Sequence, residues 1–549
     1  MSSTPEKSSH AVEVGSNGRD LSTSNSSTKE TSAAQFPAST EDAEKADSSA
    51  KGAGDGTNYI SGVKLGVVVV SVSLACFLTV LDISVISTPL TGKIYNHFKL
   101  KWSFMVFFLV FEIGSVLCGA AQSSAMLIVG RVVAGLGASG IIGGSFTIIS
   151  ASVPLEKRPP LIGACMGIAQ LGQVIGPLIG GAFTTGYTWR WSFYINLPLG
   201  AIVVVPLIII RISEQMPKQP ALKVVGRLPH FLDLVGFALF APAVVMFLLA
   251  LQYGGNQYPW NSSVVIGLFV GAFANVVVWL IWNWYKGDDA LIPVSMAKRR
   301  IVWVSSLNYG LFMALVFGGV FYLPIYFQAI KGKSAILSGV MLLPNIIPQL
   351  ISTIGGGVLL GKVGRIPHFA LFAAAVTAIG SGLYGTFQPG TSTGKWVGYQ
   401  ILAGFGQGIG FQMPMAAVQN DIEPKHLAEA TSLLVWAQYV GPTIFIVLYN
   451  TVFTTSLRKE IPRLAPNSDA NAIISAGATR FRNFVSKEDL DAVLVGYSNA
   501  IDNTFYLVAG VGALAFLAAF GMGWRDIRKP KPGADAPDAT NGGTSGSAK

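Results

Sequence analysis

The sequence predicts an all-α polytopic membrane protein, and three observations carry that expectation. Of the 549 residues, 51% are apolar and 12% charged, about half the charged share of an ordinary soluble domain. Apolar runs of membrane-crossing length follow one another from Leu65 to Trp524, and with no water in a bilayer core to satisfy backbone groups each run must be a helix. Basic residues concentrate in the loops between runs, the distribution that orients a membrane protein. This pattern argues against a soluble enzyme. It also accounts for the net charge of +10 without nucleic acid as a partner.

Along the chain, residues 1–60 are rich in Ser, Thr, Ala and Gly and hold nine acids against five bases. With no apolar core, this segment reads as a disordered cytosolic tail with no cleavable secretory signal. Thirteen spans follow, near 65–88, 102–121, 126–152, 160–183, 191–211, 233–252, 262–285, 302–329, 335–360, 368–387, 395–420, 428–454 and 502–524. The loops at 89–101, 153–159, 212–232, 286–301, 361–367 and 421–427, with Arg525–Lys531, carry most of the Lys and Arg near span ends. The opposite short loops hold only Arg190, Lys331, Lys333 and Lys395. The first group is therefore expected in the cytosol. The segment 455–501 is too long for that rule; apolar and charged residues at helical spacing, as in AVLVGYSNAI, predict a surface helix over the exit.

One conflict stands out. With a cytosolic N-terminal tail the first span ends outside, yet the next loop, with Lys93, Lys99 and Lys101, belongs inside. One crossing is missing between Thr88 and Gly92. Cys76, Cys118 and Cys165 all lie inside apolar runs, and five scattered His form no motif, so neither a disulfide framework, a metal site nor a cofactor is expected. Asn261-Ser262-Ser263 is a glycosylation sequon close to a span.

Three motifs point to mechanism. LIVGRVVAGLGASG at 127–140 places Arg131 within an apolar span. A central Arg costs about 2.5–3.5 kcal/mol on insertion scales, so it faces a partner or a wet cavity, unless it snorkels to the interface. Its candidate partners are Asp82 in LDISVIS and Glu112 in FEIGS. Burial favours the neutral form of a carboxyl and a guanidinium favours the ionised form, so such a group can be poised to take up and release protons. The alternative for Asp82 is an interfacial cap, and for Glu112 a structural ion pair. The third motif joins Gly163, Gly167, Gly172, Gly176, Pro177, Gly180 and Gly181. Glycines at that spacing make a smooth helix face and Pro177 withholds a hydrogen bond, which suits a flexing helix at a bundle interface or a plain small-residue seam.

LDISVIS, GKIYNHF at 92–98, LIVGRVVAGLGASG, the Gly-Pro motif and TWRWSFYINLPLG at 188–200 together resemble the major facilitator superfamily, specifically the fourteen-span drug:proton antiporters common in fungi. The resemblance covers roughly 60–530. It implies an N-terminal bundle at 61–211, two linking spans with loops at 212–301, a C-terminal bundle at 302–524 and a cytosolic tail at 525–549, with a cavity opening alternately to each side. Gly176–Gly181 is similar to the family's antiporter motif, Arg131 stands at its fourth-span Arg and Asp82 at its first-span acid. Gly361, Gly364 and Arg365 resemble a second-half echo of the loop motif at Gly92. Two departures follow: Asn96 stands where members commonly carry Asp, and the second span is absent, as in an omitted exon or a truncated isoform.

Between 302 and 420 no carboxylate lies within a span, so substrate contacts there fall to Asn308, Tyr322, Gln328, Asn345, Gln349, Gln407 and Gln412, joined by Gln438 further on. Each of these also reads as a helix–helix hydrogen bond. Such a cavity favours bulky, mostly apolar molecules. The expected function is proton-coupled efflux of small hydrophobic compounds such as drugs, toxins or secondary metabolites by a monomer in the plasma membrane, the vacuolar membrane being the alternative. An importer or sensor on the same scaffold, or a transport-inactive form, are the other readings.

Overall fold

A computed structural model describes residues 88–154, 157–210, 212, 232–255, 257–423, 426–524 and 526. The expected first span at 65–88 with Asp82 and Cys76, most of the loop at 212–232, and the tails apart from Asp526 lie outside the described residues. Among the described residues the regular structure is helical throughout, and eleven helical segments are long and apolar enough to cross a membrane.

The first half comprises α1 (Thr88–His97), α2 (Leu100–Gly119), α3 (Ser124–Ser152), α4 (Arg158–Gly186), the single turn α5 (Trp191–Tyr194) and α6 (Asn196–Ile209). Ser123 starts α3 by accepting from Met126 N–H. Small residues then let α2 and α3 run in contact: a methyl on Gly114 would collide with the Ala134 backbone, and one on Gly137 with that of Phe111. Beyond these come the hairpin α7 (Leu234–Tyr253) and α8 (Ser263–Lys286), a 3-10 turn at Gly287–Asp289 and the single turn α9 (Val294–Ala297).

The second half holds α10 (Arg300–Ala329), α11 (Ala335–Val340), α12 (Leu343–Val363), α13 (Ile366–Tyr384), α14 (Thr393–Gly410), α15 (Met413–Asp421), α16 (Leu427–Leu464), α17 (Ala470–Arg480) and α18 (Leu490–Ala519). Its core is aromatic. Tyr322 meets Tyr449, Phe453 and Phe505 edge-on, and Tyr384 packs on Phe387 and Phe505. At the α10–α16 crossing Gly441 lies so close to the Gly310 carbonyl that no side chain fits.

The helices fix two ends. At one, Lys101 Nζ donates to the Ile208 and Ile210 carbonyls, Arg299 pairs with Glu423 at 3.3 Å, and Arg365 forms a backbone bridge with Asp526. This end collects the loops rich in Lys and Arg and is called the basic end below. At the other, Arg190 donates to the Ala121 carbonyl and Lys331 to those of Pro389 and Thr391.

Three expectations change in detail. Part of the loop at 89–101 is helical, because α1 packs on α16 and α3. The spans at 335–360 and 395–420 are each divided, with Pro344 and Pro414 in the first turn of the helix that resumes; a proline has no N–H to give there and none is needed. The segment 455–501 is not one surface helix: α16 and α18 both continue past the bundle, and α17 crosses between them.

Candidate functional site

Glu112 projects from α2 toward α6. Its Oε1 occupies the space a side chain at Gly200 would need, and one turn further on the same face Asn196 donates to Ser115 Oγ at 3.0 Å. Neither Glu112 oxygen has a hydrogen-bond partner among the described residues. Arg131 lies on the neighbouring α3, exposed, with its guanidinium 6.0 Å from the Phe193 ring of α5. Glu112 and Arg131 therefore sit on adjacent helices without a hydrogen bond between them. Asp82 is outside the described residues.

The Gly-Pro motif lies on α4, which is helical from Arg158 to Gly186. Its first members face the second half: Gly163 lies against the Thr353 carbonyl and Gln412, and Gly167 against Leu350 and Ile354 of α12. From the other side, a Cβ on Gly357 would lie 2.7 Å from the Pro159 carbonyl. Gly172 is buried and Gly176 half-buried; the surroundings of Pro177, Gly180 and Gly181 are outside the described residues. Near the basic end, a Cβ on Gly92 would meet Ser432 Oγ at 2.6 Å and the Ala428 carbonyl at 2.8 Å. Gly364 closes α12 in the left-handed region at φ 78°, preceded by the half-buried Gly361 and followed by Arg365 with its bridge to Asp526.

The expected cavity residues divide. Asn308 donates to the Ala515 carbonyl across α10–α18, Gln328 to Ser338, and Asn345 to Tyr384 and the Gln400 carbonyl, all bonds that join helices or their extensions. Tyr322 is in the aromatic core and Gln349 is buried on α12. Gln412 donates to the Thr353 carbonyl and fills the space left by Gly163 and Gly357, so it sits in the α4–α12 seam. Gln407, Gln412 and Gln438 each keep a side-chain oxygen with no partner among the described residues. Those three retain hydrogen-bonding capacity that a neutral polar group on a substrate could use.

Four residues escaped sequence reasoning. Gln400 is fully buried, and neither of its side-chain polar atoms has a partner among the described residues. Asp502, 6% exposed, accepts from Gln388 Nε2 at 3.1 Å; it stood at the first position of the expected span 502–524. Lys93 looked like a loop charge and Asp233 like the first residue of a span, yet both are buried. The only signal for Asp233 was its place just before an apolar run, where an acid caps a helix.

The family model for the Major Facilitator Superfamily matches residues 59–446. MFS-type transporter pigP of Monascus ruber is 50% identical over 514 residues, covering 88% of this chain and 90% of its own. Efflux pump mlcE of Penicillium citrinum is 45% identical, covering 86% and 92%, and efflux pump mokI of Monascus pilosus 43%, covering 85% and 93%. The pigP match is longer than the part of this 549-residue chain it draws on, so it contains positions with no counterpart here. Among solved structures, the proton:xylose symporter XylE superposes with a TM-score of 0.50 at 14% identity over 82% of this chain and 94% of its own, a likeness of fold alone.

Proposed function

The chain belongs to the major facilitator superfamily, and from that premise we propose that it exports small hydrophobic compounds, secondary metabolites among them, in exchange for protons. That it is a multi-pass membrane transporter and not an enzyme follows from the family. Direction and coupling are the proposal. Direction is supported by relatives named as efflux pumps in Penicillium citrinum and Monascus pilosus.

The observation that carries the coupling is Glu112, a carboxyl within a span with neither oxygen bonded among the described residues. Such a group is tolerated neutral in apolar surroundings; once ionised it must find water or a cation. Proton loss therefore biases the bundle toward a conformation that supplies one, and Arg131 on the neighbouring helix is the candidate cation. Protonation of Glu112 or Asp82 from outside favours the inward-facing state, and release to the cytosol resets the cycle. The α4–α12 seam, with Gly163, Gly167 and Gly357 at its closest approaches, is the surface along which the halves part. Gln407, Gln412 and Gln438 offer the substrate its polar contacts, in a monomer of the plasma membrane.

In vesicles with an imposed proton gradient, Arg131→Ala, Glu112→Gln and Asp82→Asn are expected to abolish gradient-driven transport while the protein remains in the membrane. Unchanged proton-driven transport in all three variants refutes the assignment. A transport-inactive form is the second reading, favoured by the positions of the pigP match that this chain lacks; no transport by the unaltered chain, gradient or not, selects it.

A further inference from the structure

We propose that the inserted hairpin α7–α8 is a clamp that holds the basic end closed, with Lys93 as the positioning residue that ties α1 to it. Lys93 is 3% exposed, and its Nζ donates to the Asp289 carbonyl at 2.7 Å, in the turn that ends α8. Helix α1 contains no acid, so this buried ammonium draws all its compensation from other elements. Burial pulls the Lys93 pKa down; Glu429, Asp233 and Asp289 oppose that shift and Lys286 adds to it.

The hairpin end is built as one piece around Asp233. This residue adopts φ 49°, a left-handed backbone that costs a non-glycine residue energy. What holds it there is its carboxylate: Oδ1 accepts from Gly236 N–H at 3.1 Å and from Trp282 Nε1 at 2.8 Å, and Oδ2 from Leu291 N–H at 2.8 Å. Three chain segments, the start of α7, the end of α8 and the strand of chain after it, are thereby pinned together. Asn283 adds a bond to the Ile292 carbonyl and Asp288 one from Ser295 N–H.

This unit is fastened on two sides. Phe240 of α7 packs against Trp436 of α16 at 5.6 Å, and against Trp279 of α8 at 5.0 Å. Lys93 fastens it to α1, and α1 meets α16 directly where Gly92 lies on Ala428 and Ser432. The three contacts close a triangle of α1, hairpin and α16. Separating α1 from α16 then requires the hairpin to release one of them, and releasing Lys93 strips a buried cation of its acceptor. The exported compound and the proton site play no part in this argument; only its transport readout rests on the function proposed above.

The test is a distance measurement on the full chain in lipid, with spin labels on cysteines introduced as Lys157→Cys and Val363→Cys, two exposed positions at the basic end of the first and second halves. Lys93→Met is expected to lower the ratio of short to long distances about tenfold, the weight of one charge-assisted hydrogen bond. Asp233→Ala should act in the same direction and Lys93→Arg should restore the ratio. Variants are compared only when they elute as a single species with an unfolding midpoint near the parent's. Gly92→Ala, which opens the α1–α16 contact without touching charge, guards against loss of Lys93→Met to misfolding. If folded Lys93→Met and Asp233→Ala both keep the parent's distances, or if Lys93→Arg is as open as Lys93→Met, the clamp is overturned. Shifted distances with no transport in any protein, parent included, leave the clamp standing and refute the exporter.

Discussion

Glycine positions are where single atoms decide the packing. On α14, a side chain at Gly404 would collide with the Asn345 carbonyl, whereas the space around Gly398 on the same helix is open to 4 Å. Gly404→Val is expected to destabilise by about 1–3 kcal/mol through overpacking, and Gly398→Ala to be neutral or slightly stabilising through helix propensity. Thermal unfolding in detergent checks both, and equal midpoints for the two would contradict the contact. Glu112 shows the same dependence on small neighbours: the absence of a side chain at Gly200 is what admits its carboxylate between α2 and α6. The sequence marks Glu112 as an intramembrane acid, but which helix it faces depends on rotation about the α2 axis, and a short apolar run leaves that rotation open.

Among the elements, the outward extension at 455–501 departs furthest from its sequence reading. Its amphipathic spacing is legible; what the spacing cannot reveal is that α16 and α18 continue as the two supports of α17. The fastening is by side chains distant in sequence: Arg482 donates to the Ala329 and Ile330 carbonyls at the C-terminal end of α10, and Phe481 stacks on Tyr497 at 5.0 Å. A guanidinium there satisfies carbonyls that no helical N–H reaches and complements the helix dipole. Arg482→Ala should cost about 1–2 kcal/mol locally. Hydrogen exchange across 470–484 is expected to accelerate while that of α10 interior amides is unchanged; equal exchange in parent and variant would remove Arg482 from this role.

For the whole molecule, parity of crossings is the sharpest constraint. Helix α1 lies at the basic end, where Lys93 meets Asp289, and α2 departs from that end. An N-terminal tail on the same side needs an even number of crossings before α2, yet only one apolar run, 65–88, precedes it. Full-length transcripts are expected to encode a further crossing between Thr88 and Gly92; abundant, transport-active protein with the short junction would sink that expectation.

Composition, the succession of apolar spans, the basic loops and the family motifs were all readable in the sequence, because each depends on local chemistry: hydropathy over a window, charge beside a span, glycine at a fixed spacing. Tertiary structure alone decided that Gln412 lies in the α4–α12 seam, that Asn308 and Asn345 join helices, and that Lys93, Asp233 and Asp289, far apart along the chain, meet at one end of the bundle. Those placements depend on which faces of long helices come together, and a side chain's identity does not specify its partner when many apolar faces could pack equally well.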